Sequence, residues 1–282
     1  MDYYKYHGLG NDYIIIDPQK TYIKLNRDNV ALICDRHYGL GADGILYGPV
    51  YRDDKIHLII YNSDGSEAEK SGNGLRIFGR YLLDENYIVE RQFQVLTKGG
   101  PTVISLVDKE TWVMSVEMGK ITFESENIPV ALTPPREVID ERLEINGTAL
   151  IITCLSIGNP HCVIFNMDAN RETATSFGPL IERHSLFPKG INVQFVHVMD
   201  RRNIQIEIWE RGSGYTLSSG SSSCAAAAAA YKKGLVDASV TVHMPGGTLL
   251  TEIDGNSIRL LGPVESIAEG IFTYEMWKRI TR

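Results

Sequence analysis

Two serine-glycine turns have the composition and spacing of a ligand site: Ser71-Gly72-Asn73-Gly74 and, 148 residues later, Ser219-Gly220-Ser221-Ser222. Each precedes a stretch that reads as helix, LRIFGRYLLD in one case and CAAAAAAYKK in the other. Glycine lets a backbone approach a ligand closely, and the first turn of a helix offers N–H groups without intrahelical partners at its positive dipole end. Such a turn receives a carboxylate well. A serine before a helix is also an ordinary N-cap, and for either turn alone that plainer reading is preferred. Two equally placed turns shift the balance towards a site in which a small anionic molecule is bracketed from two sides.

The elements that must carry these turns repeat at the same offset. Gly10-Asn11 recurs as Gly158-Asn159, each followed by an apolar run, and Ile56–Tyr61 (IHLIIY) recurs as Ile204–Trp209 (IQIEIW). Asn62 then falls on Glu210, each nine positions before the serine, and Lys98-Gly99-Gly100 matches Pro245-Gly246-Gly247 within one or two residues. Asp43 sits near Asn192 at almost the same spacing. A constant offset across several features indicates internal duplication. Helices are predicted over 27–36, 74–84, 178–184 and 223–233, and alternating runs such as FQVL, VMSVEM, VTVHM and SIRLL mark strands. The pattern is α+β, without regular βαβ alternation. The Pro134-Pro135 stretch is the expected bend between halves.

Composition narrows the class. The 282 residues carry a net charge of −7 and no long basic cluster, which argues against nucleic acid or an anionic membrane as partner. No apolar run is long enough to span a bilayer, and the N-terminus lacks the pattern of a secretory signal. The four cysteines have no CxxC spacing and the seven histidines no HExxH, so neither a disulfide framework nor a metal site is expected. A reducing cytoplasm is the expected location.

The stretches HGLGNDYIIID, YNSDGSEAEKSGNGLR, SIGNPHCVI, KGINVQF and WERGSGYTLSSGSSSCAA, in this order and across essentially the whole chain, resemble the successive motifs of the diaminopimelate epimerase family. The resemblance implies two pseudo-symmetric lobes, each a mixed β-barrel around a central helix, with the site between them. The expected lobes are 1–128, completed by a C-terminal strand at about 268–282, and 129–267. It further implies interconversion of LL- and meso-diaminopimelate for lysine synthesis without PLP or metal. In that chemistry one cysteine thiolate removes the α-proton while a second thiol returns one from the other side. A thiol suits this task because its unperturbed pKa is about 8.5.

By this resemblance Ser71 and Ser219 occupy the two cysteine positions, and a serine hydroxyl is a far weaker acid. Turnover is therefore expected to be impaired, whether the pair is engineered or natural. Neither Cys162 nor Cys224 is a straightforward substitute. Glu210 and His161 match positions that tune the two catalytic side chains, and Arg211 matches a residue that grips the distal carboxylate. Asn11, Asn62, Asn159 and Asn192 match the amides that hold the substrate's two ammonium-carboxylate ends. Gly72, Asn73, Gly220 and Ser221 are expected to supply N–H groups for the reacting carboxylate. The plainer readings are a surface ion pair for Arg211 with Glu207 or Glu210, a satisfied histidine beside Pro160, and turn-forming asparagines. Tyr215 stands where the family usually has Glu, and Gly44 where many members have Gln. The resemblance also implies a homodimer. Two alternatives stay open: an isomerase or racemase of another amino acid using Glu210 or His161 as base, and a catalytically silent binding protein for diaminopimelate-like ligands.

Overall fold

A computed structural model describes residues 2–281. The chain divides into two compact units, 1–116 with 262–282, and 117–261. The helices are α1 (Arg27–Cys34), α2 (Gly72–Asp84), α3 (Arg171–Glu182), α4 (Gly220–Lys232) and α5 (Tyr274–Ile280).

In the first unit Asp2–Gly8 pairs antiparallel with Asn11–Ile16, which runs parallel to Gly44–Arg52 across the α1 connection. Gly44–Arg52 forms a hairpin with Lys55–Asn62, and α2 then carries the chain to Gln92–Thr97, parallel to Lys55–Asn62. Gly100–Asp108 and Val113 to Val116 complete this antiparallel run. The opposite edge is supplied from the far end of the sequence: Glu265–Ile271 pairs antiparallel with Asp2–Gly8. Beyond it the chain is helical, because Thr273 caps α5 by accepting from the Met276 N–H at 3.3 Å.

The second unit repeats the scheme. Thr148–Ser156 lies between Glu141–Ile145 and Pro160–Ile164, and Pro160–Ile164 runs parallel to Asn192–Asp200 across α3. Asn192–Asp200 forms a hairpin with Asn203–Glu210, α4 crosses to the parallel Ser239–Met244, and Gly247–Asp254 and Ser257 to Leu261 follow antiparallel. Gly44–Arg52 and Asn192–Asp200, Lys55–Asn62 and Asn203–Glu210, and α2 and α4 all begin 148 residues apart. Each unit is thus a mixed sheet packed around one central helix, the architecture implied by the family resemblance, and its element order repeats as the duplication predicts.

The central helices are buried for different reasons of sequence. In α2 the apolar positions Leu75, Ile77, Phe78, Tyr81 and Leu82 fill the core, while a Cβ at Gly79 would lie 2.7 Å from Ile104 Cγ2. In α4 Ala225 to Ala230 are all buried. Alanine combines the best helix propensity with the smallest side chain, so the strands approach this helix closely.

Two sequence expectations are corrected. Pro134-Pro135 is not a bend between halves: it lies inside the second unit, on an excursion held by Ser125 N–H to Arg136 C=O and Val138 N–H to Phe123 C=O. Its neighbours Ile128, Val130 and Val138 are anchored in that unit's core. α3 starts seven residues before the expected 178, because Asn170 accepts from the Thr173 N–H at 2.8 Å and Ala174, Gly178 and Ile181 supply the buried stripe. No helix among the described residues is long and apolar enough to cross a membrane.

Candidate active site

In the first unit the site grows from the N-terminus of α2. Ser71 has extended backbone angles and caps the helix, its Oγ accepting from the Gly74 N–H at 3.0 Å. Gly72 and Asn73 therefore open the first turn, where N–H groups have no partners within the helix. The Asn73 side chain bonds instead to Asn11: its Nδ2 donates to Asn11 Oδ1 at 3.0 Å, and Arg76 Nη2 donates to Asn73 Oδ1 at 2.6 Å. Asn11 Nδ2 donates to Asp43 Oδ2 at 2.8 Å. Behind it, Asp12 is gripped by Lys5 at 3.0 Å and Arg36 at 2.7 Å. Burial alone would raise the Asp12 carboxyl, but hydrogen bonds from Arg36 and Lys5 outweigh it and hold it below the usual carboxylate range. Asn62, ending its strand, is exposed and donates to Ser66 Oγ at 2.9 Å.

Tyr13 adds a contact that the motifs did not single out. Its ring is buried, and its hydroxyl lies 3.1 Å from Ser71 Oγ. The offset that pairs Asn11 with Asn159 also pairs Tyr13 with His161, so the sequence held the signal.

In the second unit Ser219 caps α4, with Ser222 N–H at 3.4 Å and Ser221 Oγ at 3.5 Å from its Oγ. Asn159 Nδ2 donates to Ser221 Oγ at 3.4 Å, and Asn159 Oδ1 faces His161 Nε2 at 3.0 Å. His161 is fully buried, and burial pushes its imidazole down to about 3, so the ring is neutral at neutral pH. Asn192 spans two segments: its Nδ2 donates to Pro160 C=O at 2.8 Å and its Oδ1 accepts from the Arg211 N–H at 3.0 Å. Its side chain thus fixes the backbone of Arg211, whose guanidinium donates to Lys189 C=O at 3.2 Å. Glu210 ends the strand beside it and faces Gly214 across the following hairpin. Glu207 is engaged by Tyr215, whose hydroxyl donates at 2.8 Å. Burial raises the Glu207 carboxyl against the opposing pull of Tyr215 and Arg171.

The structure therefore brings together Ser71, Asn73 and Asn11 in one unit, and Ser219, Ser221, Asn159 and His161 in the other. Asn192, the neighbour of His161 in the parallel ladder, links Arg211 to the second group. All four cysteines are buried and free; burial pushes the Cys34 thiol up to about 12 and raises Cys154. Among the described residues no group of three or more His, Cys, Asp or Glu gathers as a metal site. What the arrangement offers is two capped helix starts rich in N–H donors, each beside an asparagine of the same repeat, which suits binding of a carboxylate.

A family model for diaminopimelate epimerase matches residues 3–124 and 153–266. The chain belongs to the diaminopimelate epimerase family. Diaminopimelate epimerase 2 of Nostoc sp. is 48% identical over 279 residues, 98% of this chain and 97% of that protein. The diaminopimelate epimerase of Pelotomaculum thermopropionicum is 37% identical, covering 97% and 99% of the two chains. Among solved structures, a hydroxyproline epimerase from Agrobacterium vitis superposes with a TM-score of 0.68 at 13% identity, over 96% of this chain and 90% of that one. A predicted epimerase from Pseudomonas aeruginosa gives 0.67 at 13%, over 96% and 98%. These structures share the fold, and the diaminopimelate epimerase family places the chain among the isomerases.

Proposed function

We propose that the protein acts on diaminopimelate, interconverting the LL and meso forms by two-base proton exchange at one α-carbon, in the cytoplasm and as a homodimer. The observation that carries this reading is 48% identity to a diaminopimelate epimerase across 98% of the chain. In this reading Ser71 and Ser219 stand at the two acid–base positions, and Gly72, Asn73, Gly220 and Ser221 present N–H groups to the reacting carboxylate. Their task is to stabilise the charge that develops there as the α-proton leaves. Arg211, Asn62, Asn159, Asn192 and Asn11 hold the ammonium and carboxylate groups, while Glu210 and His161 tune the proton-transfer positions. No cofactor takes part.

Serine at both positions impairs interconversion, because an alkoxide is scarcely formed at neutral pH. The test is the paired variant Ser71→Cys, Ser219→Cys. It is expected to convert LL- to meso-diaminopimelate at a rate far above the parent chain. A paired variant that binds diaminopimelate yet converts neither isomer would sink the assignment and favour a silent binding protein, the reading that the two serines support on their own. Sedimentation velocity checks the dimer.

A further inference from the structure

Ser71 has a phenol hydroxyl beside it, whereas the hydroxyl beside Ser219 is that of another serine, Ser221. Tyr13 Oη lies 3.1 Å from Ser71 Oγ, which also accepts the Gly74 N–H at 3.0 Å. The ring reaches this position because residue 44 has no side chain: a Cβ there would lie 2.7 Å from Tyr13 Cε1. Tyr13 and Gly44 are direct neighbours in the parallel ladder. At the duplicated position the second unit has His161, which faces Asn159 at 3.0 Å, and at the position matching Gly44 it has Asn192. The contacts of the Ser219 hydroxyl are Ser221 Oγ and the Ser222 N–H.

We propose that Tyr13 is a positioning residue that acts through Ser71, holding the proton that a lone serine could not give up. The inference rests on the reading of Ser71 as an acid–base position. In the forward step Ser71 Oγ takes the substrate α-proton while its own hydroxyl proton passes to the Tyr13 phenolate. The Cα–H bond breaks, a Ser71 O–H bond and a Tyr13 O–H bond form, the old Ser71 O–H bond breaks, and one negative charge moves from phenolate to substrate carbanion. The reverse step restores the phenolate. The phenolate itself arises by loss of a proton to solvent on the alkaline side, so the pair draws on a phenol, a far stronger acid than an alcohol, and never on a free alkoxide. Because only the first unit has this pair, the chain is expected to exchange the α-hydrogen of one stereoisomer with solvent and to return it with the same configuration.

The experiment is α-hydrogen exchange in D2O, read by proton NMR, with LL- and meso-diaminopimelate supplied separately. The parent chain is expected to exchange one isomer and not the other, without interconversion, at a rate that rises with pH on the alkaline side. Tyr13→Phe is expected to lose that exchange by about a hundredfold and to lose the alkaline rise. In the Ser71→Cys, Ser219→Cys background the same substitution should cost far less, since a thiolate needs no phenolate.

Equal exchange from both isomers, a flat pH profile, or an equal fold loss from Tyr13→Phe in both backgrounds overturns the relay. Absence of exchange by the parent, when the paired cysteine variant epimerises, overturns it as well. A paired cysteine variant that binds but does not turn over instead rejects the epimerase reading itself, and the relay with it.

Discussion

Asn11 and Asn73 are joined amide to amide, Asn73 Nδ2 donating to Asn11 Oδ1 at 3.0 Å. Each amide is oriented from its other end, Asn11 by Asp43 at 2.8 Å and Asn73 by Arg76 at 2.6 Å. Asp43 also accepts from the Asp12 N–H at 3.1 Å and from Arg36 at 2.9 Å. A carboxylate that accepts three such bonds fixes which face of Asn11 is presented. Asp43→Ala, made in the paired cysteine variant, is expected to raise KM for diaminopimelate by about tenfold with a smaller fall in kcat, the pattern of lost ground-state binding. Steady-state kinetics decide it; an unchanged KM would remove Asn11 from the binding role.

Asp12 ties the same cluster to acid stability. Its folded-state pKa is depressed, so its contribution is present above the unfolded value of about 3.9 and is lost as pH falls through the folded value. Asp12→Asn removes this dependence. Between pH 5 and pH 2 the variant is expected to lose less stability than the parent, measured as Tm by circular dichroism.

His161 acts in a different window. Its folded pKa is pushed down to about 3, against about 6.5 when unfolded, so between these values the unfolded chain binds the extra proton. Stability therefore falls as pH drops from about 6.5 to about 3, with a slope of up to about 1.4 kcal/mol per pH unit. His161→Gln is expected to flatten this slope in urea titrations while lowering stability at pH 7 through loss of the contact to Asn159.

Tyr81 and Tyr87 both donate to Asp17 Oδ2 at 2.6 Å, and Asp17 is 1% exposed. Burial, followed by the Asp17 bond, raises both phenols. Loss of a donor leaves a buried acceptor unsatisfied, so Tyr81→Phe is expected to cost about 1–3 kcal/mol. Tyr87→Phe should cost less, since Tyr87 is only partly buried. The double variant should deviate from the sum because both act on one oxygen. Urea denaturation of the three variants provides the cycle.

At Gly44 a Cβ would lie 2.3 Å from Tyr61 C=O as well as 2.7 Å from the Tyr13 ring. Backbone and ring must both shift to admit it. Gly44→Ala is expected to destabilise by about 1–3 kcal/mol, read from chemical denaturation.

How much of this was legible beforehand differs by element. The offset of 148 located α2, α4 and the strands leading to them, because a duplication preserves spacing even where identities have changed. It also placed both serines at helix starts, and Ser71 and Ser219 are indeed N-caps. α3 was expected only from 178, whereas it begins at Arg171, and Gly178 is where Trp209 packs, 2.5 Å from a Cβ at that position. α5 has too little buried surface to show a pattern, only Ile280 being buried. The offset marked Tyr13 through its match to His161, but Asp43 behind Asn11 and Asn192 on the Arg211 backbone were not readable, because they depend on strand register. Register is set by the packing of the whole sheet.

The strand Glu265–Ile271 lies on Asp2–Gly8, so the first unit is assembled from both sides of the second. On the ribosome this fixes an order of events. The second unit is continuous and can close as soon as it emerges, but the first must wait, with an edge strand uncovered, until synthesis has passed the whole of 117–261. The serine that Tyr13 attends thus sits in the half that is finished last.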